Sequence, residues 1–181
     1  MIPIRIGERQ VVYENKYQQI YRVSAEFEDF TKEIFVNDYG QRVGLLLIRD
    51  GEVLLVRQYR FLVNAMAWEI PGGRVDSGET PEQGAIREGL EETCLRCRTL
   101  KKLLYFHPGL DTFDNPTFLF YTDDFEETAA GNLHPHEVSE RIWLPLTRCI
   151  EMVFKREIVD SLTIAALLAF HTLKANPELA R

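Results

Sequence analysis

The hydrophobic pattern of the chain changes several times between strand-like and helix-like spacing. Residues 8–37 carry aromatic and β-branched residues at short intervals between polar turn residues, which predicts hairpins. Two apolar runs follow over residues 43–48 and 52–59, and the Asp-Gly pair between them predicts a hairpin turn. Because neither run alternates with polar residues, we expect a central sheet that is covered on both faces.

A glycine-rich break separates these runs from a well-marked helix. Residues 68–79, WEIPGGRVDSGE, contain one proline and three glycines and are expected to be irregular. Residues 80–94 have helical periodicity, with Thr80 suited to the N-cap, Pro81 to the first helical position and Gln83 to a capping box. Further strands are predicted over 100–106, 116–122 and 141–146, and two closing helices over 147–157 and 161–175.

The length and the order of elements together predict the fold class. A chain of 181 residues is within the range of one domain. Mixed strands and helices predict an α/β sandwich with a β-rich N-terminal extension. We assign residues 1–40 to the extension and residues 41–181 to the main domain.

Charge and cysteine content restrict the partners and the compartment. A formal net charge of −7 repels nucleic acids and anionic membranes and favours partners that bring positive charge, metal ions among them. The longest apolar stretch, residues 164–170, is far shorter than the ~20 residues of a membrane span, and the first ten residues do not resemble a signal peptide. Three cysteines are too few for a disulfide framework, so we expect a cytoplasmic protein without nucleic-acid or membrane partners.

The predicted helix over residues 80–94 carries three carboxylates on one face. Glu88, Glu91 and Glu92 fall within about 100° of arc on a helical projection, and Ile86, Leu90 and Cys94 fall on the opposite face. An acidic face of this kind can be a solvated surface. However, no lysine stands four residues after any of these glutamates, and clustered carboxylate oxygens suit hard cations such as Mg²⁺ or Mn²⁺.

The residues around this helix favour a binding site over a solvated surface. Gly72 and Gly73 stand just before it, where a backbone without Cβ approaches a ligand closely and can offer a carbonyl oxygen. Arg87 and Glu79 are a charge pair that could hold the preceding loop against the helix and orient the ligands.

These residues resemble the Nudix box, a motif with many fixed positions. The match consists of Gly73, five residues, Glu79, seven residues, Arg87 and Glu88, two residues, then Glu91 and Glu92. The segments VRQYRF, WEIPGG, YFHPGLD, HEVSERIWLPL and KREIVDSLTIAAL extend the similarity to the ADP-ribose pyrophosphatase branch of Nudix hydrolases over residues 8–175. The resemblance implies a Nudix-type α/β/α sandwich with a mixed central sheet, and a homodimer built partly from the N-terminal strands.

Two positions depart from the family pattern. Gly89 stands where a bulky aliphatic residue is usual, and Cys94 stands where the closing glycine is usual. Glycine inside a helix costs ~1 kcal/mol relative to alanine, and a non-glycine residue in the left-handed region costs ~1 to 2 kcal/mol. Because both departures spare the acidic residues, we expect activity to survive.

The resemblance also implies site roles, several of which have a structural alternative. Arg60 is a candidate clamp for a phosphate or the terminal ribose, or else one half of a salt bridge. Trp68 lines the substrate pocket or packs in the core. For the general base we favour Glu137 over Glu140, with Asp111 and Asp114 as weaker candidates, although a solvated loop acid is the alternative for Glu137. The full assignment is metal ligands Gly72, Glu88, Glu91 and Glu92; catalytic or supporting residues Glu79, Arg87, Glu137 and Glu140; substrate-binding residues Arg60, Trp68, Glu69 and Gly109.

The expected reaction is hydrolysis of the pyrophosphate bond of a nucleoside diphosphate sugar with two or three Mg²⁺ or Mn²⁺ ions. ADP-ribose is the first expected substrate, with AMP and ribose 5-phosphate as products. Another NDP-sugar such as GDP-mannose, or a dinucleotide, is the alternative, because the box sets the chemistry and the flanking residues set the substrate. A binding module with a decayed site, or an interaction domain, fits less well because all three glutamates are present.

The Cys94-x-x-Cys97 pair invites a zinc or redox interpretation, which we do not favour. A zinc site needs four ligands, and only His134, His136 and Cys149 remain to complete one. The pair is also expected at the C-terminal end of the helix, where the dipole opposes a thiolate.

Overall fold

The structure is a computed structural model that describes residues 1–128 and 138–179. Its contacts divide the chain into two compact units, Met1–Gln41 with Phe106–Thr117, and Arg42–Tyr105 with Phe118–Arg181. The strands are β1 (Arg5–Ile6), β2 (Gln10–Glu14), β3 (Gln19–Glu26), β4 (Thr31–Asp38), β5 (Arg42–Arg49), β6 (Glu52–Arg60), β7 (Ala65–Glu69), β8 (Gly72–Arg74), β9 (Leu95–Cys97), β10 (Lys101–Phe106), β11 (Phe113–Asp114), β12 (Thr117–Thr122), β13 (Phe125–Glu127) and β14 (Glu140–Pro145). The helices are α1 (Pro81–Thr93), α2 (Leu146–Phe154) and α3 (Ser161–Ala175), and a short 3₁₀ helix spans Pro177–Leu179.

The first unit is a five-stranded sheet. Strands β1, β3, β4 and β11 follow in that order, and β2 pairs with β3. The pairs β1–β3, β2–β3 and β3–β4 are antiparallel, whereas β11 is parallel to β4, so the sheet is mixed. The hairpins predicted from residues 8–37 are therefore present. The prediction did not include β11, because a strand of two residues is too short to show periodicity.

The second unit contains the central sheet, in the order β10, β12, β5, β6 and β14. Strand β7 pairs with β6, and β8 pairs with β5. The hairpin of β5 and β6 turns at Asp50 and Gly51, whose φ angles of 52° and 84° suit the predicted Asp-Gly turn. Both runs are buried over residues 43–47 and 53–56, as their continuous apolarity predicted.

Helices cover both faces of this central sheet. On one face, Ala85 of α1 belongs to a buried cluster with Leu45, Leu54 and Phe120. On the other, Tyr121 of β12 contacts the Phe170 ring of α3. Since neighbouring residues of a strand point to opposite faces, α1 and α3 lie on opposite sides of β12. The predicted mixed α/β fold is confirmed.

Helix α1 begins as the sequence predicted. Thr80 is the N-cap, its side chain accepts a hydrogen bond from the Gln83 N–H, and the Gln83 side chain accepts one from the Thr80 N–H, which completes the capping box. At the other end, Cys94 has a φ of 56° and adopts the left-handed conformation that its position predicted.

The most deeply buried residues of α1 are not its large apolar ones. Its buried residues are Gly84, Ala85, Gly89, Glu92 and Thr93, whereas Ile86, Leu90 and Cys94 are only half-buried. A Cβ on Gly89 would lie 2.7 Å from Leu45 Cδ2. Small residues therefore bring the helix close to the sheet, and they turn the Glu92 side of the helix inward.

This packing predicts opposite effects for two glycine replacements in the same helix. Gly89→Ala should destabilise the fold by about 1 kcal/mol, because overpacking against the buried Leu45 side chain outweighs the gain in helix propensity. Gly84→Ala is the control, since its Cβ would meet nothing closer than 3.5 Å. It should stabilise the fold by about 0.5 to 1 kcal/mol. Urea denaturation measures both, and stabilisation by Gly89→Ala would contradict the close packing.

Part of the segment predicted to be irregular is strand. Residues 65–69 and 72–74 form β7 and β8, because their backbone groups pair with β6 and β5. Glycine at 72 is required by that pairing, since a Cβ there would lie 2.3 Å from the Val43 carbonyl oxygen. Strands β9 and β13 were also not predicted, and they pair with each other. No helix among the described residues has the length and apolarity to span a membrane.

Candidate active site

The acidic face of α1 lies against the glycine strand β8. A Cβ on Gly73 would stand 2.3 Å from Glu88 Oε1 and 2.4 Å from its carboxyl carbon. Only glycine at this position leaves room for the Glu88 carboxylate. The contact explains the glycine at position 73.

Glu92 is the most enclosed of the three glutamates, with 7% of its surface exposed. Its Oε1 accepts a hydrogen bond of 2.5 Å from Gln58 Nε2, and its Oε2 accepts one of 2.9 Å from the Gly72 N–H. Both oxygens are therefore held, one by strand β6 and the other by strand β8.

Arg87 connects the helix to the loop before it. Its Nε and Nη2 donate to the two carboxylate oxygens of Glu79 over 2.9 and 3.1 Å, and Nη2 also donates to the Arg74 carbonyl. Its Nη1 donates to Glu88 over 2.9 Å and to Glu91 over 3.2 Å. The pairing of Arg87 with Glu79 that the sequence suggested is present. No lysine follows these glutamates at a spacing of four, but Arg87 supplies a positive charge from one residue before Glu88 and four before Glu91.

The electrostatics differ between the outer and inner parts of this face. Hydrogen bonding from Arg87 lowers the pKa of Glu79. Burial raises the pKa of Glu88 despite the opposing effect of Arg87. Burial also raises the pKa of Glu92 to about 7, although the bonds from the Gly72 N–H and Gln58 oppose the rise. Ionised carboxylates are thus least stabilised on the inner side, where additional positive charge would help most.

The residues fit a hard divalent cation by donor chemistry. Within residues 1–128 and 138–179, no three His, Cys, Asp or Glu side chains are gathered closely enough to be a ready-made metal site. Three carboxylates on one face of α1, however, are the oxygen donors that Mg²⁺ and Mn²⁺ prefer. The Arg87 Nη1 atom already places a positive charge between Glu88 and Glu91. The space above Gly73 that a Cβ would fill admits the Glu88 carboxylate.

The predicted substrate-binding residues Arg60 and Glu69 contact each other. Arg60 Nε and Nη2 donate to the two Glu69 oxygens over 2.7 and 2.5 Å, and the Glu69 side chain is only 8% exposed. Of the two roles considered for Arg60, the salt bridge is present. Its contact with a substrate stays a prediction. Trp68 is half-buried beside the guanidinium of Arg57, 5.3 Å from the ring centre.

Of the two candidate general bases, the structure describes Glu140 but not Glu137. Glu140 begins β14, lies opposite Arg57 in the register, and forms a 3.1 Å ion pair with its Nη1. Glu137, like His134 and His136, lies outside the described residues. Its role as the base stays a prediction.

Gly109, Asp111 and Asp114 lie in the unit with the N-terminal strands. A Cβ on Gly109 would stand 2.8 Å from the Phe113 ring, so glycine lets this turn close tightly. Asp114 accepts a hydrogen bond of 3.3 Å from the Tyr21 hydroxyl, and Asp111 accepts one from the N–H of Thr112. Both aspartates thus have partners within this unit.

Cys97 and Cys149 are buried. Burial raises the pKa of Cys97 to about 11, and the same cause raises the pKa of Cys149 to about 11. A thiolate is the reactive form in redox chemistry and metal binding, and burial disfavours it here.

Two residues of this site were not singled out from the sequence, Gln58 and Arg57. In β6, Leu54, Val56 and Gln58 share one face, and Leu54 belongs to the buried cluster under α1. The sequence does contain a signal for Gln58, because it continues a row of residues that face the core. Buried polar groups are normally hydrogen-bonded, so a glutamine in such a row indicates a buried polar partner.

Comparison with known proteins gives consistent matches. The model of the NUDIX domain family matches residues 38–162. A CMP-5'-(N-acetyl-N-hydroxy-3-aminopropyl)phosphonate hydrolase of Streptomyces rubellomurinus is 29% identical over 90% of this chain and 79% of its own length. An ADP-ribose pyrophosphatase of Mycobacterium tuberculosis is 28% identical over 79% of this chain and 70% of its own length. A solved structure titled as an ADP compounds hydrolase has the same fold, with a TM-score of 0.82, 18% identity, and coverage of 97% of this chain and 96% of that one.

Proposed function

The chain belongs to the NUDIX domain family, and from that premise we propose that it hydrolyses the pyrophosphate bond of a nucleoside diphosphate sugar. ADP-ribose is the first substrate to consider, with AMP and ribose 5-phosphate as products. The resemblance of the regions flanking the box to ADP-ribose pyrophosphatases supports this choice, as does the Mycobacterium tuberculosis relative.

One observation carries the proposal. The carboxylates of Glu88 and Glu92 are packed against the backbone of Gly73 and Gly72, on a helix whose loop is held by Arg87 and Glu79. Burial raises the pKa of Glu88 and of Glu92 despite the hydrogen bonds that both carboxylates accept, so a site of this kind favours a cationic ligand. A solvated acidic face would leave these side chains in water.

Nudix hydrolases generally use divalent metal ions, and we propose Mg²⁺ or Mn²⁺ here, in two or three sites. Glu88, Glu91, Glu92 and the Gly72 carbonyl would hold them. Bound ions would neutralise and polarise the diphosphate and lower the pKa of the attacking water. Arg87 and Glu79 keep the glycine strand and the helix in register, and so act on geometry rather than on the reacting atoms.

The remaining roles follow the same proposal. Glu137 accepts the proton of the attacking water, with Glu140 as the alternative. The fork of Arg60, fixed by Glu69, and the ring of Trp68 contribute to the substrate pocket. Burial of the Glu69 carboxylate under Arg60 supports the pair as a rigid element, because a paired guanidinium loses little freedom when it binds an oxyanion.

A second candidate is hydrolysis of a nucleotide joined to a different group, such as GDP-mannose, a dinucleotide or a nucleotide phosphonate. The Streptomyces relative, named for a CMP-linked phosphonate, is the observation that favours it. The retained Glu88, Glu91 and Glu92 disfavour a decayed binding module.

A substrate panel tests the proposal. Purified protein with Mg²⁺ or Mn²⁺ is incubated with ADP-ribose, GDP-mannose, UDP-glucose, NADH, diadenosine polyphosphates and a CMP-linked phosphonate, and products are separated by ion-exchange chromatography. We expect the largest kcat/KM for ADP-ribose and release of AMP. Absence of metal-dependent hydrolysis of every compound, by protein shown to be folded, would contradict an enzymatic function.

We propose a homodimer in which residues 8–37 contribute to the interface. The side chains of Val12 and Phe35 on β2 and β4 are 51% and 50% exposed, and all five residues of β2 are exposed. Uncovered apolar strands and sheet edges are usually paired or covered. Sedimentation equilibrium at micromolar concentration should give a dimer, and Val12→Glu with Phe35→Glu should shift it to monomer. A stable wild-type monomer with full activity per chain would exclude the dimer.

A reducing cytoplasm is the compartment we propose, because Cys97 and Cys149 are buried as thiols and three cysteines are too few for a disulfide framework.

A further inference from the structure

A neutral polar residue reaches the candidate metal ligands from the sheet beneath them. Gln58 stands near the end of β6, opposite Ala67 of β7, and only 6% of its surface is exposed. It shares a strand face with Leu54 and Val56, which are fully or almost fully buried. A glutamine in such a row is unfavourable unless its amide is hydrogen-bonded.

The amide of Gln58 donates a hydrogen bond to the Glu92 carboxylate. Nε2 donates to Glu92 Oε1 over 2.5 Å, while the Gly72 N–H donates to Oε2 over 2.9 Å. A carboxylate oxygen has two lone pairs, so one hydrogen bond on each oxygen leaves a second lone pair on each. The two donors orient the carboxylate and leave it able to bind a cation.

We propose that Gln58 is a positioning residue that holds Glu92 in the orientation in which it binds a divalent cation. The inference rests on the proposed function, since it concerns the metal ligands of the same site. A glutamate on a helix has three side-chain torsions, and the fixed strand amide removes most of that freedom before the cation arrives. Ordering of this kind by an outer hydrogen bond strengthens metal binding.

The chemistry of the amide suits this task better than a charged donor would. An arginine or lysine at position 58 would neutralise Glu92 and repel the cation, whereas an amide donates a hydrogen bond and carries no net charge. Arg60, two residues further along the same strand, is paired with Glu69 instead. The strand thus gives Glu92 a neutral donor and places its nearby guanidinium on another carboxylate.

The test measures Mn²⁺ binding to the intact protein by electron paramagnetic resonance, together with activity as a function of Mg²⁺ concentration. Gln58→Met keeps the size of the side chain and removes the donor. It should raise the Mn²⁺ dissociation constant by about 10- to 100-fold, the range found for outer-shell partners. Turnover should recover toward the wild-type value as Mg²⁺ is raised, with little change in the KM for substrate.

Two further variants separate positioning from loss of stability. Gln83→Met removes a hydrogen bond from the capping box at the other end of α1 and touches no acidic ligand, so Mn²⁺ affinity should stay within twofold of wild type. Gln58→Leu also removes the donor and adds no charge, so it replaces Gln58→Met if that variant does not fold. In a Glu92→Gln background, Gln58→Met should weaken Mn²⁺ binding no further, because the group it orients is absent.

The possible failures are distinguishable. If wild type binds Mn²⁺ weakly and Glu92→Gln changes nothing, the proposed metal site itself is wrong. If Glu92→Gln weakens binding and both Gln58 variants bind Mn²⁺ within twofold of wild type, the positioning role is overturned and the proposed function stands. Equal weakening by Gln83→Met would also overturn it, since the effect would then be one of helix stability.

Discussion

Replacing Glu88 or Glu92 with glutamine is expected to lower turnover at saturating Mg²⁺ by about a hundredfold or more while the fold is retained. The two side chains share the inward part of the acidic face, beside Gly73 and Gly72. Glutamine keeps the shape and removes the charge that a divalent ion needs. Removing a buried carboxylate also relieves desolvation, so thermal stability without metal should be unchanged or higher. Steady-state kinetics and circular dichroism measure both effects.

Glu82→Gln is the matched control, because it makes the same substitution on the same helix. Glu82 is in the first turn of α1, 3.5 Å from Lys102 and apart from the glycine strand contacts. Its turnover should stay within about twofold of wild type, since exposed ion pairs contribute little. Near-native turnover of both Glu88→Gln and Glu92→Gln would refute the assignment of the site.

The second large effect concerns the general base. Glu137→Gln should cut turnover by about a hundredfold while substrate affinity changes little, because a base acts in the transition state and not in ground-state binding. The turnover of this variant is compared with that of Glu140→Gln, which makes the same substitution three residues further along the chain. Because Glu140 is engaged with Arg57 at the start of β14, its loss should have a smaller effect. Single-turnover kinetics with a pH profile make the comparison.

Three outcomes are informative. A large loss for Glu140→Gln alone moves the base by three residues and keeps the mechanism. Losses below about threefold for both variants exclude this segment as the source of the base, since general bases contribute about a hundredfold or more. Asp111 and Asp114 would then be the next residues to replace.

The start of α1 and the β5–β6 hairpin were predictable because their signals are local. Thr80, Pro81 and Gln83 satisfy the first backbone groups of the helix within four residues of chain. Asp50 and Gly51 adopt the positive φ angles that the turn requires. The left-handed conformation of Cys94 followed equally from its place at the end of a motif. Each of these features depends on residues that are adjacent in sequence.

Tertiary contacts decided which side of α1 is buried. Ile86, Leu90 and Cys94 lie opposite the acids and are only half-buried, whereas Gly84, Ala85 and Gly89 are buried. Gly89 looked like a weak point on helix propensity alone. The reason for glycine at this position is its close contact with Leu45, which is more than forty residues away in the chain.

The sequence by itself determined the family, the gathering of Glu88, Glu91 and Glu92 on one face of a helix and the order of the longer elements, because these depend on residue types at fixed spacing. Only the tertiary structure decided their partners: Arg87 between Glu88 and Glu91, Arg60 on Glu69, and Gln58 under Glu92. The physical reason is that hydrogen bonds and ion pairs depend on distances of about 3 Å between atoms, and spacing along a chain does not define such distances across strands. A buried carboxylate takes whatever donor the neighbouring strand brings within reach, and for Glu92 that donor is the amide of Gln58.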